Sequence, residues 1–287
     1  MPLPSVHYAL ARGVMERWAL RPAQAPFDPA APAARNAFYH GSLGPDMGLF
    51  PGGVTELSLL AHRERTGDLT RVLVASARTP VERAFAWGWL THVLADVAIH
   101  PTLNGYALRL LLETGQDPDD AEAMAAAHSR FELGLDIYMT VRDPAAAAVR
   151  LRPCFRPADT RFLVDAYRAV YRRDFPGDAF ARSHRATTAM ANALMRLERL
   201  HALAAPAPRP RPLRPVLLGI RRGLAPRLSR LNAAFLRPLA PPPGLLRVLR
   251  ETARDFCDLV HRHQATRLAA LGNPDLEGME ELRRLTA

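Results

Sequence analysis

The chain has no lysine: all 38 of its basic residues are arginine. That bias reflects arginine-favouring, GC-rich coding as much as any partner, so the formal charge of +10 is weak evidence taken whole. Cysteine is nearly absent, with only Cys154 and Cys257, far apart in sequence. Two cysteines exclude a disulfide scaffold, and they leave open free thiols, a single bridge and the redox compartment. Aromatics make up 7%, and no long alternating apolar–polar run occurs, which argues against a sheet and for an all-α fold. The amino terminus, MPLPSVHYALARG, lacks the charged-then-apolar pattern of a secretory leader, so a soluble cytoplasmic protein is the expectation. The longest apolar run, Ala84 to Ile99, is too short and too polar at its centre to span a membrane.

What is present is enough chain for a large core: 287 residues with 48% hydrophobic content. Prolines number 26 and gather in connectors. The basicity is local. From Arg199 to Arg250 there are 11 arginines and no acidic residue, so the remainder carries 10 − 11, a charge near −1. A solvated arginine-rich face, an amphipathic stretch docking on anionic lipid, and a nucleic-acid surface all fit that segment. The last is the weakest, because Phe235 is its one aromatic stacking partner.

The chain is organised around TPVERAFAWGWLTHVLADVAIH, Thr79 to His100. Thr79 suits an N-cap, Pro80 the first helical position, and Glu82 closes a capping box. Pro101 and the following Asn104-Gly105 set the expected end at His100. Nearly everything between is apolar, as in a helix buried on all sides. Into it are set His92, Asp96 and His100, each four residues from the next, about 6 Å apart along one stripe. A buried carboxylate between imidazoles needs a partner. Zinc is one, and a hydrogen-bonded set of core polars is the other. A second helix, from Asp117–Asp120 to about Thr140, repeats the step with His128, Glu132 and Asp136.

Other helices are expected at Ser5 to Leu20, Thr55 to Thr66 with a stop at Gly67, Asp68 to Arg78, Tyr106 to Thr114, Asp159 to Phe175, Asp178 to Ala204 and Leu245 to Leu271. Residues 21–36 read as irregular, and 38–53, FYHGSLGPDMGLFPGG, as a loop carrying His40 and Asp46. Residues 205–215 read as an extended proline-rich linker. These divisions suggest a core over 1–140, a helical continuation over 141–204 and a linker with a helical extension over 205–287.

The ordered series His7, GSLGPD ending at Asp46, His62, HVLAD from His92 to Asp96, His100, and HSRFE from His128 to Glu132 resembles the zinc-dependent phospholipase C family. It is also similar to the related single-strand-specific zinc nucleases. The resemblance covers residues 1 to about 140. It implies an all-helical zinc phosphodiesterase in which Asp46, His62 and His92 hold one zinc and Asp96 bridges to a second site. His100, His128 and Glu132 would hold another ion, and His7 with Asp96 a third. The family completes that third site with an amino-terminal tryptophan. This sequence lacks it, and only removal of Met1, exposing Pro2, would offer a substitute. Glu132, rather than Asp, looks more like the phospholipase branch.

The expected cofactor is therefore two or three zinc ions, and the expected activity phospholipase C-like cleavage of phospholipids by a metal-activated water. Asp46, on its loop, is the expected catalytic carboxylate. His40 is expected at the surface or behind a ligand rather than on metal, Asp136 to accept from a ligand histidine or to cap a helix, and His184, His201, His261 and His263 to be exposed or satisfied. A nuclease or nucleotide phosphodiesterase on the same scaffold, and a non-catalytic zinc-binding helical protein, are the alternatives.

Overall fold

The computed structural model describes residues 4–143, 145, 148–204 and 239–277. Among them are nine α-helices and no strand, the all-α fold expected. They are α1 Pro4–Leu20, α2 Pro32–Gly41, α3 Thr55–Arg63, α4 Thr66–Ser76, α5 Pro80–Glu113, α6 Ala121–Arg142, α7 Arg161–Tyr171, α8 Ala179–Ala204 and α9 Pro243–Ala265. Short 3-10 turns occur at Pro22–Gln24, Pro45–Gly48 and Pro157–Thr160.

Helix α5 is the axis. Its capping box forms as the sequence predicts: Glu82 N donates to Thr79 Oγ1, and the Glu82 carboxylate accepts from Thr79 N. Its far end corrects the sequence reading. The helix does not stop at His100 but runs through Pro101 to Glu113, 34 residues and ~50 Å in all. Pro101 removes one bond, to the carbonyl of Val97. Val97 is 43% exposed, so that orphaned carbonyl lies on the wet side of the helix. Ile99, His100, Leu103, Asn104, Ala107 and Leu111 stay buried on the other side and hold the helix together.

Two further expectations change. Residues 32–36 are not irregular but open α2, with Pro32 at its first position, and His40 is therefore helical rather than in a loop. Gly67 does not end α3. The break falls at Glu64–Arg65, where Arg65 turns left-handed (φ 50°), and Gly67 lies inside α4. The glycine is needed there because a Cβ would meet Gly272 O at 1.7 Å. The basic stretch 216–237 and the linker before it lie outside the described residues, as does Pro2.

Packing follows the apolar faces. Helices α2 and α5 cross at Gly41 and Gly88, so closely that a Cβ on either would strike the other's backbone, Phe85 O at 2.0 Å or Phe38 O at 2.1 Å. Around them Trp18, Phe38, Phe85, Trp89 and Leu90 form one large core. Helix α9 joins it through Leu245, Leu249, Phe256 and Val260 against α1 and α5. Trp87 and Trp89 are core residues. No described helix is long and apolar enough to cross a membrane.

Candidate metal centre

Helices α1, α3, α5 and α6 and the Pro45–Gly48 turn converge so that His7, Asp46, His62, His92, Asp96, His100, His128 and Glu132 meet. All are buried except His128, which is partly so. Asp96 stands between two groups. Its Oδ2 lies 2.9 Å from His92 Nε2 and 3.8 Å from His62 Nε2, while its Oδ1 lies 3.4 Å from His7 Nε2 and 3.8 Å from His100 Nε2. On the Oδ2 side, Asp46 Oδ1 is 3.1 Å from His62 Nε2 and 3.9 Å from His92 Nε2. On the other, Glu132 Oε1 is 2.9 Å from His128 Nε2 and 3.7 Å from His100 Nε2. Three sets of donor atoms result, each within 4.8 Å of one another: Asp46–His62–His92, His7–His92–Asp96 and His100–His128–Glu132.

The outward nitrogens are fixed by oxygen acceptors. Nδ1 of His62 donates to Ser58 O (2.8 Å), that of His92 to Ser42 O (3.0 Å), that of His100 to Leu276 O, and that of His128 to Asn104 Oδ1 (2.7 Å). Asn104 Nδ2 donates to Glu277 O at 2.6 Å, which turns its oxygen toward His128. With the proton on Nδ1, each Nε2 offers its lone pair inward. His92 Nε2 is fully buried, 2.9 Å from the Asp96 carboxylate. His7 is held differently: its ring stacks on His92 at 4.1 Å and its Nδ1 has no partner among the described residues.

Without a cation these groups hold one another's charge. Burial opposes it, yet Asp96 and Asp46 raise His92 to about 9. Burial likewise opposes ionisation of Asp96, but His92 and His100 keep it well below the ordinary carboxylate range. Burial, with His92 beside it, lowers His7 to about 4. Buried carboxylates framed by inward-facing imidazole lone pairs are the nitrogen–oxygen donor set zinc takes, so the residues fit that ion.

Asp136 does its supporting work at α1. Its Oδ1 accepts from Ser5 N (3.1 Å) and Val6 N (3.2 Å), capping the helix that carries His7. His40 goes elsewhere. Its Nε2 donates to Arg152 O at 3.0 Å and its ring lies 4.1 Å from that of His184, whose Nε2 accepts from Cys154 N. These two imidazoles and the Cys154 thiol also come close enough to invite a metal. The nitrogens named are already engaged with backbone groups, which makes this a satisfied polar cluster. Cys154 and Cys257 are both free thiols.

The sequence reading missed Asn104, Arg63 and Glu277. Asn104 carried a signal, since 92, 96, 100 and 104 continue one four-residue step that Pro101 seemed to end. Arg63 and Glu277 carried none. They pair at the edge of a cavity of about 270 Å³, which Leu49, Met124 and Ala125 wall and the carboxylates and imidazoles line.

Comparison with curated proteins and with solved structures gives no match. The sequence model of the zinc-dependent phospholipase C family matches residues 6–175, more than half the chain and every one of the eight converging side chains. The chain belongs to the zinc-dependent phospholipase C family.

Proposed function

We propose that this member of a zinc-dependent hydrolase family cleaves phospholipids at the glycerol side of the phosphate, with Asp96 standing between the two donor sets that would hold zinc. The observation that carries the reading is the division of Asp96, one oxygen toward His62 and His92 and the other toward His7 and His100. In this reading Asp46, His62 and His92 would hold one ion and His100, His128 and Glu132 the other, while His7 would border a third position.

Bound zinc brings water toward neutral pKa and offsets charge gathering on a phosphodiester's oxygens. The protein's part is placement. Asp46 stays ionised against the cost of burial because His92 and His62 face it, so its free lone pairs can orient a water in the cavity. A carboxylate held that low is a better orienting group than a proton store. The cavity, near 270 Å³, is smaller than a whole lipid and suits a phosphate with its immediate substituents. Leu49, Met124 and Ala125 give the glycerol carbons an apolar wall, and the Arg63–Glu277 ion pair stands at the edge. We further propose that the 11 arginines of Arg199–Arg250 bring the protein to anionic lipid. Vesicle binding should then weaken steeply with added salt.

The test is turnover of phosphatidylcholine vesicles against single-stranded DNA by protein of known zinc content. Release of diacylglycerol by zinc-loaded protein, lost on chelation and restored by zinc, is expected. Cleavage of DNA alone overturns the substrate, and inertness toward both with full zinc content overturns the enzyme.

A further inference from the structure

After α9 the chain reverses at Arg267 and Leu268, both left-handed (φ 48° and 63°), and returns across the metal centre. This returning segment lies far downstream of the family match at 6–175. Leu271 and Leu276 are buried in the core. Gly272 O sits against Gly67, Leu271 O accepts from Arg71, and Asn273 Oδ1 accepts from Asp68 N at 2.9 Å. At its end the segment reaches the candidate ligands themselves. Leu276 N donates to His62 O (2.9 Å), Leu276 O accepts from His100 Nδ1, and Glu277 O accepts from Asn104, whose oxygen holds His128.

We propose that Leu271–Glu277 is a positioning strap for the zinc centre, coupled to metal occupancy. The inference rests on the ligand assignment above and adds a second element to it. Of the His100–His128–Glu132 set, both imidazoles take their orientation from the strap, one directly and one through Asn104. A free imidazole must give up ring rotation and choose a tautomer when it ligates, and a fixed acceptor at Nδ1 meets that cost in advance. Loss of such a partner weakens a metal site by roughly 10–100-fold. Because coupling is reciprocal, the metal must tighten the strap by the factor the strap tightens the metal.

Gly67→Ala separates the strap from the centre without touching a ligand. Its Cβ would lie 1.7 Å from Gly272 O, while alanine favours the α4 helix it sits in. Gly105→Ala, where a Cβ meets nothing within 4 Å, is the control. Zinc affinity of the full chain is read by competition with a chromogenic chelator. Gly67→Ala is expected to weaken one zinc by roughly 10–100-fold and Gly105→Ala to leave it unchanged. Hydrogen exchange on unaltered protein gives the second readout, with residues 271–277 expected to exchange faster after chelation. Equal zinc affinity in Gly67→Ala whose strap exchanges fast, or strap exchange in the unaltered protein indifferent to zinc, overturns the proposal. If Gly67→Ala fails to fold, the exchange result on the unaltered chain decides alone. Unaltered protein that takes up no zinc instead overturns the ligand assignment, a separate result.

Discussion

Asp96 is the residue on which the centre turns, because its two oxygens face different histidines. Replacing one oxygen by an amide leaves the volume but removes both the charge and one acceptor. Asp96→Asn is therefore expected to bind less than one zinc per chain and to lose at least ~100-fold in activity, measured by elemental analysis beside lipid turnover. Full zinc content would rule out the bridging role. A different residue-scale consequence sits at His184, which burial, with Arg185 nearby, lowers to about 4. Its folded pKa lies below the unfolded value near 6.5, so only the unfolded chain gains a proton between those limits. Stability from this group is intact above pH 6.5 and falls as the pH drops toward 4, by on the order of 3 kcal/mol. Urea unfolding at pH 7 and pH 4.5 should show His184→Gln losing less across that interval than the unaltered protein does.

At the scale of elements, the crossing of α2 and α5 sets the centre's geometry. Ser42, just past α2, supplies the carbonyl that orients His92 on α5, and the two helices touch through Gly41 and Gly88. Gly88→Ala would place a Cβ 2.1 Å from Phe38 O, so the helices must part. A destabilisation of ~3 kcal/mol is expected, with weaker zinc binding because the Ser42–His92 bond stretches with the crossing. Chemical denaturation and chelator competition check the two effects separately, and an unchanged unfolding midpoint would show that the crossing tolerates a methyl. The α5 capping box and the four-residue steps on α5 and α6 were legible because they are local and periodic. The passage of α5 through Pro101 was not, since it depends on a core that keeps the following turns buried and on Val97 facing water.

At the scale of the molecule, zinc held as proposed would tie together α1, α3, α5 and α6 and, through the strap, residues 271–277. A ligand bound only by the folded chain stabilises it, by about 4 kcal/mol per site at free zinc a thousand-fold above Kd. For a chain of this size that amounts to a thermal midpoint lowered by on the order of 10 °C on chelation, recoverable with zinc and readable by calorimetry. A midpoint indifferent to chelation would mean that the cluster contributes nothing to holding these helices.

The sequence by itself determined the helical class and the four-residue stripes on α5 and α6, because an amphipathic period and a four-residue spacing are written in consecutive residues, and its ordered motifs determined the family. Only the tertiary structure decided which way the rings face. Ser42, Asn104 and Leu276 accept the outer protons of their imidazoles, and Asp136 caps the helix of His7. These partners stand up to 176 positions away in the chain, and backbone carbonyls among them have no residue identity to read. Orientation in a buried site comes from whichever oxygen the folded chain brings within reach, and no local pattern encodes that.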